Sequence, residues 1–242
     1  MTERLFLADA MLREATATVL ESGPDCIVLD RTPFYARAGG QPGDGGVLRW
    51  HGGEMPVSEA VKGEGEAIRH VPAADATLPP SGATVAAVID WSRRWAHMRM
   101  HTSLHLLCAV LPGAAVTGGQ IGADRSRLDF DLPDPPSREA IEAGLNALIA
   151  ADHPVTAEWV EESVLDDNPG LVRTLSVKPP RGTGRLRLVR IGAGATPIDL
   201  QPCGGTHVPR TGAIGAVRLL KMESKGRQNR RIVLALADGG AP

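Results

Sequence analysis

The side chains best suited to chemistry sit in two short tracts, His101-Thr102-Ser103-Leu104-His105 and Cys203-Gly204-Gly205-Thr206-His207. Each tract holds two metal-type donors separated by three residues. On a helix, positions i and i+4 share a face, so His101 and His105 can hold a single ion. In a glycine-containing turn Cys203 and His207 can curl to the same point. Gly204 and Gly205 would there allow unusual φ values and close backbone approach. Three imidazoles and one thiolate form a tetrahedral zinc set. One zinc ion is therefore the expected cofactor, and exposed N–H groups of the glycine turn are candidate donors to a developing oxyanion. The zinc-protease pattern requires Glu directly after the first His; Thr102 stands there instead, which excludes that class.

The elements that must position these residues follow from apolar period and punctuation. Asp90 is a good N-cap for a helix over Trp91 to Leu111 that stops at Pro112-Gly113, with Trp95, Met98, Leu104 and Leu107 as its apolar face. His97, one turn before His101, is expected to be exposed. Cys108 and Cys26 sit on apolar runs and are expected in the core. Before the helix, short runs at 17–20, 26–29, 47–50 and 83–89 read as strands, with a loose stretch from Val71 to Pro80. Such runs, broken by Gly and Pro, suggest a small barrel or sandwich. After it, strands are expected over 125–132, 155–159, 185–191, 214–222 and 231–237. A second helix, capped by Ser137, should run to about Ala151 with Ile141, Leu145, Leu148 and Ile149 inward. The fold class is α+β: a β-barrel-like domain over residues 1–89, then an α/β metal-binding domain with antiparallel sheet over 90–242.

Two further tracts bear on recognition. Thr32 to Gly46 is dense in Gly and Pro and so forms a shaped loop. Phe34 and Tyr35 beside Arg37 and Gln41 offer chemistry suited to RNA, although a structural hairpin is the simpler reading. Lys225-Gly226-Arg227-Gln228-Asn229-Arg230-Arg231 packs four cations between two expected strands, a candidate phosphate contact or a solvated hairpin tip.

Composition bounds the rest. The 242 residues are 43% hydrophobic and 22% charged, enough for a real core, and only 3% aromatic, so that core must be aliphatic. No stretch approaches the roughly 18 apolar residues of a membrane span, and the N-terminus lacks a secretion signal. Three cysteines make no disulfide framework and suit a reducing cytoplasm. The net charge of −2 hides an asymmetry: residues 171–242 hold thirteen Lys and Arg against three acids. That segment can present a basic face to a phosphate backbone.

Taken together, the HxxxH and CxxxH pairs resemble the editing domain shared by alanyl- and threonyl-tRNA synthetases. The loop Thr32 to Gly46 is similar to the glycine-rich motif of the alanyl branch, as are Ser126-Arg127-Leu128-Asp129-Phe130 and Lys225 to Ile232. The loop departs from the family pattern where Ala36 replaces a proline and Ala38 a glycine. No synthetase activation domain precedes the motifs, and few residues follow His207, so the chain resembles the free-standing AlaX family of medium length.

The resemblance implies zinc at His101, His105, Cys203 and His207, all four serving catalysis, and Thr102 as the reader of a serine hydroxyl. It implies contacts of Gly39, Gly40, Gln41, Gly204, Gly205, Lys225, Arg227 and Arg230 with substrate or tRNA. It also implies hydrolysis of the ester joining a wrong amino acid, chiefly serine with glycine as the other candidate, to the acceptor end of tRNA(Ala). Two alternatives remain open: a tRNA-binding module with structural zinc, and a zinc hydrolase of small amino-acid esters.

Overall fold

Short apolar strands punctuated by Gly and Pro bury one face each where they alternate, as in β2 and β8, and six of them close on themselves. In chain order the first strands are β1 (Glu3–Arg4), β2 (Glu14–Ser22), β3 (Ile27–Leu29), β4 (Arg31–Thr32), β5 (Gly46–Trp50), β6 (Gly53–Lys62), β7 (Ile68–Pro72) and β8 (Thr84–Ile89). The barrel order is β2-β3-β7-β6-β5-β8, antiparallel throughout. Val19, Ile27, Leu29, Leu48, Met55, Val57, Ile68, Val85 and Ala87 fill it, and closure removes the exposed edges that an open sheet would leave. The computed structural model describes residues 1–175, 182 and 184–238. Two compact units divide the chain, Met1–Trp95 and Ala96–Pro242.

Strands β6 and β7 have no counterpart among the strand-like runs of the sequence. A bulge between Val57 and Glu59 shifts the register of β6, so its buried residues fall at Met55, Val57 and Ala60 and break the period of two. β7 begins at Ile68 and takes in Val71 and Pro72, which shortens the expected loose stretch.

Helix α1 (Trp91–Val110) is followed by β9 (Ala115–Gln120), β10 (Arg125–Asp131), α2 (Arg138–Ala150), β11 (Val155–Glu161), α3 (Val164–Asp167), β12 (Arg185–Ile191), β13 (Asp199–Pro202), β14 (Val217–Ser224) and β15 (Asn229–Leu236). The second unit holds two antiparallel sheets, β14-β15-β10-β9 and β11-β12-β13. Ser137 Oγ accepts from Ala140 N at 3.1 Å and so caps α2 as its sequence indicates. The strand expected from Ile214 starts instead at Val217, because Thr211–Ile214 form a 3₁₀ turn and Gly215 reverses the chain at φ +73°. β9 and β13 were also missed; β9 carries two glycines and β13 is four residues long.

Candidate metal centre

Helix α1 starts where Asp90 accepts from Arg93 N at 3.1 Å, the N-cap its sequence indicates. From Ala96 to Cys108 every residue is buried. The helix is surrounded over three turns and has no solvent face there. His97 is accordingly buried, a correction to its expected exposure, and Cys108 is core. His101 and His105 lie one turn apart inside this covered stretch, so their imidazoles are held by packing before any ligand arrives.

The partner pair comes from the end of β13. Its register against β12 brings Cys203 N to Arg187 O at 3.1 Å. The Arg187 guanidinium then donates to Cys203 O at 2.8 Å and Gly205 O at 3.1 Å. This clamp shapes the turn; neither Gly204 nor Gly205 takes a positive φ, contrary to the expectation of unusual glycine backbone. Gly204 is exposed, and a Cβ there would meet nothing within 4 Å. Gly205 N lies 3.4 Å from Cys203 Sγ and donates to it.

The ligand atoms of His101, His105, Cys203 and His207 all lie within 4.8 Å of one another. Cys203 Sγ stands 3.5 Å from His101 Nε2 and 3.3 Å from His207 Nε2. A tetrahedron with zinc bonds of about 2.0–2.3 Å has edges of about 3.3–3.6 Å, so these spacings fit donors arranged around one ion. The other ring nitrogens are engaged: His105 Nδ1 donates to Asp199 Oδ2 at 2.8 Å, and His207 Nδ1 lies 3.2 Å from Thr102 Oγ1. Each Nε2 is thereby left for a metal.

The electrostatics match. Burial works against a Cys203 thiolate, but His101 and His207 beside it prevail and hold its pKa well below the ordinary thiol value. Burial, reinforced by His101, keeps His207 neutral, well below the usual histidine range. Burial opposes charge on His105 as well, yet hydrogen bonds to Asp199 and Cys203 outweigh it and push its pKa up to about 10. A thiolate and neutral imidazoles are the forms that bind metal, and an ion would displace the proton from His105.

Thr102 is fully buried. Its hydroxyl donates to Met98 O at 2.9 Å and accepts from His207 Nδ1 and from Val208 N at 3.2 Å, which uses its whole hydrogen-bonding capacity. Asp199, Gln201 and Arg187 join this centre through strand pairing that their local sequence does not signal. Asp199 had left a trace: an acid inside the apolar run Ile198-Asp199-Leu200, four residues before Cys203.

In the first unit, Phe34 and Tyr35 of the glycine-rich loop are buried, in keeping with a structural hairpin, and Gln41 is buried too, a correction to its expected contact with tRNA. Gly39 and Gly40 are exposed at φ +55° and +83°, between the mutually bonded Ala38 and Gln41. A two-residue turn with both φ positive favours such a pair, since glycine takes this backbone without strain. Asp44 and Arg94, both fully buried, fix the loop from inside. Arg94 Nε lies 3.0 Å from Asp44 Oδ2, and its terminal nitrogens reach Ala10 O and Pro33 O.

In the second unit, the basic tract forms the β14–β15 turn. Arg231 is paired with Asp129 at 2.7 and 2.8 Å, and Arg230 donates to Pro133 O at 2.7 Å. Lys225 has Glu223 at 3.8 Å. Arg227 is exposed and makes no ion pair among the described residues. Lys178 and Arg181 of the basic segment lie outside the described residues.

Family comparisons define the class to which this arrangement belongs. Residues 186–233, which include Cys203 and His207, match the family described as threonyl and alanyl tRNA synthetase second additional domain. Residues 5–93 match tRNA synthetases class II (A). Among full-length relatives, the alanyl-tRNA editing protein AlaX-M of Methanosarcina acetivorans is 36% identical over 249 residues, spanning 98% of this chain and 100% of that protein. The same protein of Methanosarcina barkeri is 35% identical over 247 residues, again spanning 98% of this chain and 100% of the relative. The chain belongs to this AlaX-M family of alanyl-tRNA editing proteins. It also aligns, over 92% of its length, with 25% of the alanine–tRNA ligase of Pyrobaculum arsenaticum at 37% identity.

Proposed function

We propose that the chain is a trans-editing deacylase that hydrolyses the ester joining a wrong amino acid, chiefly serine, to the acceptor end of tRNA(Ala) in the cytoplasm. One observation carries this reading: His101, His105, Cys203 and His207 meet in a ligand-sized cluster within a chain of the alanyl-tRNA editing family. The donor chemistry fits zinc, with soft thiolate and imidazole and no carboxylate among the four. When bound there, zinc supplies a Lewis-acid charge beside the ester. The chain's own residues do the rest. Gly204 leaves open space at the mouth of the cluster, where the aminoacyl end can approach the backbone closely. The Gly205 amide is committed to the Cys203 thiolate, so the Gly204 N–H is the turn's donor for a developing oxyanion. The barrel unit's exposed Gly39-Gly40 turn and the Lys225–Arg230 turn supply tRNA contacts, the latter through phosphate.

A second reading has its own support. Four protein donors close a tetrahedral site, as structural zinc requires, so the chain could bind tRNA without turning it over. Incubation with Ser-tRNA(Ala) and Ala-tRNA(Ala) separates the two. Deacylation of the serine ester with the alanine ester spared is expected; binding of both with neither hydrolysed would establish the binding module.

A further inference from the structure

His105 and His207 both turn Nε2 toward the donor cluster, but what holds their other nitrogens differs in kind. His105 Nδ1 meets Asp199 Oδ2 at 2.8 Å, whereas His207 Nδ1 meets the neutral Thr102 hydroxyl at 3.2 Å. A hydrogen bond to an ionised acceptor is shorter and roughly twice as strong as a neutral one. The Thr102 hydroxyl is moreover shared with Met98 O and Val208 N.

Asp199 is out of place unless it serves the centre. It is fully buried on β13, its Oδ2 accepts from Gln201 Nε2 at 2.8 Å as well, and its Oδ1 has no hydrogen-bond partner. Among the described residues its one ion-pair partner is His105; no lysine or arginine reaches it. A carboxylate withdrawn from water is costly unless a charge balances it. Through the imidazole, an ion on Nε2 balances it from the far side of the ring. Orienting partners of this kind fix the tautomer of a metal-bound histidine and raise its donor strength.

We propose that Asp199 is a positioning residue of the metal centre: it locks His105 with Nδ1 protonated and Nε2 facing the ion, making His105 the firmly held ligand, while Thr102 leaves His207 the weakly held one. The proposal rests on the zinc reading above.

The test is zinc affinity of the full chain, measured by competition with a chromogenic chelator, for wild type, Asp199→Ala, Asp199→Asn and Thr102→Val, with circular dichroism as the check on folding. Asp199→Ala is expected to weaken zinc binding by about 10- to 100-fold. Asp199→Asn, which keeps a neutral acceptor in the same shape, should lose less, and Thr102→Val less than Asp199→Ala. A purely structural Asp199 would lower the melting temperature with and without zinc alike and leave the affinity of the folded fraction unchanged. Should Asp199→Ala not fold, the near-isosteric Asn variant decides. Tight zinc in wild type with unchanged affinity in the folded Asp199 variants would overturn the proposal alone. Wild type that binds no stoichiometric zinc would overturn the metal reading, and the proposal with it.

Discussion

The hydroxyl of Thr102 gives its hydrogen to Met98 O and receives two others, from His207 Nδ1 and Val208 N. A serine hydroxyl could bond to it only by displacing one of these. This geometry favours a role through His207, on which Thr102→Val is expected to lower deacylation of Ser-tRNA(Ala) and Gly-tRNA(Ala) in parallel. The two buried N–H groups it leaves unpaired would cost about 1–3 kcal/mol each. Initial rates on the two esters check this; a loss confined to the serine ester would restore Thr102 as a direct reader of substrate. The four donors were legible in the sequence because each pair is local: residue type and a spacing of four suffice on a helix, and nearly suffice in a turn. Arg187 and Asp199 were not, because their roles depend on which strands pair and in what register. Nothing in a single strand says that Arg187 will lie beside Cys203. His97 is hidden for a related reason: burial on every side of the helix from Ala96 to Cys108 comes from tertiary packing that the helix's own period does not show.

The elements differ in how plainly the sequence announces them. α1 and α2 begin at Asp90 and Ser137, whose side chains accept from the first helical turn, and β2 and β8 keep their alternation while β3 is a short apolar run. β6 loses its period at the Val57–Glu59 bulge, and β9 is weakened by Gly118 and Gly119. The barrel loop is held by the buried Asp44–Arg94 pair, in which Asp44 also accepts from Tyr35 N at 2.6 Å. Asp44→Asn leaves Arg94 as an uncompensated buried charge, and a loss of about 3–5 kcal/mol in chemical unfolding is expected; a loss below 1 kcal/mol would show the loop to be held by its turn alone. His70 adds a pH dependence. Its Nδ1 donates to Ile27 O at 3.0 Å and its Nε2 accepts from Thr32 Oγ1 at 2.8 Å, an arrangement that suits the neutral ring. Burial lowers its pKa to about 4 against the raising effect of Ile27 O. The unfolded chain takes up that proton first, so the contribution of His70 is whole above about pH 6.5 and fades as pH falls toward 4, by roughly 3 kcal/mol in all. His70→Gln should narrow the difference in urea midpoint between pH 7 and pH 4.5. An unchanged difference would place the acid sensitivity in other groups.

Across the whole chain, a formal charge of −2 coexists with a strongly basic final third. Pairing reduces that excess locally: Asp129 neutralises Arg231, and Glu223 lies 2.5 Å from Lys221. Arg227 and Lys225 remain the cations of the β14–β15 turn best placed for a phosphate backbone. Arg227→Ala and Lys225→Ala should each weaken tRNA binding at low salt and reduce the slope of log affinity against log salt by up to about 1. Unchanged slopes would move the contact elsewhere on the molecule. No helix among the described residues is long and apolar enough to cross a membrane. The central claim, that the four-donor cluster hydrolyses a misacylated tRNA, is most directly tested by release of serine from Ser-tRNA(Ala). The assay compares wild type, a zinc-stripped sample, the same sample with zinc restored, and Cys203→Ala. Rapid release by wild type is expected, abolished by stripping and by Cys203→Ala and recovered with zinc. Absence of release from zinc-loaded wild type that still binds the tRNA, or release that survives both perturbations, would contradict it.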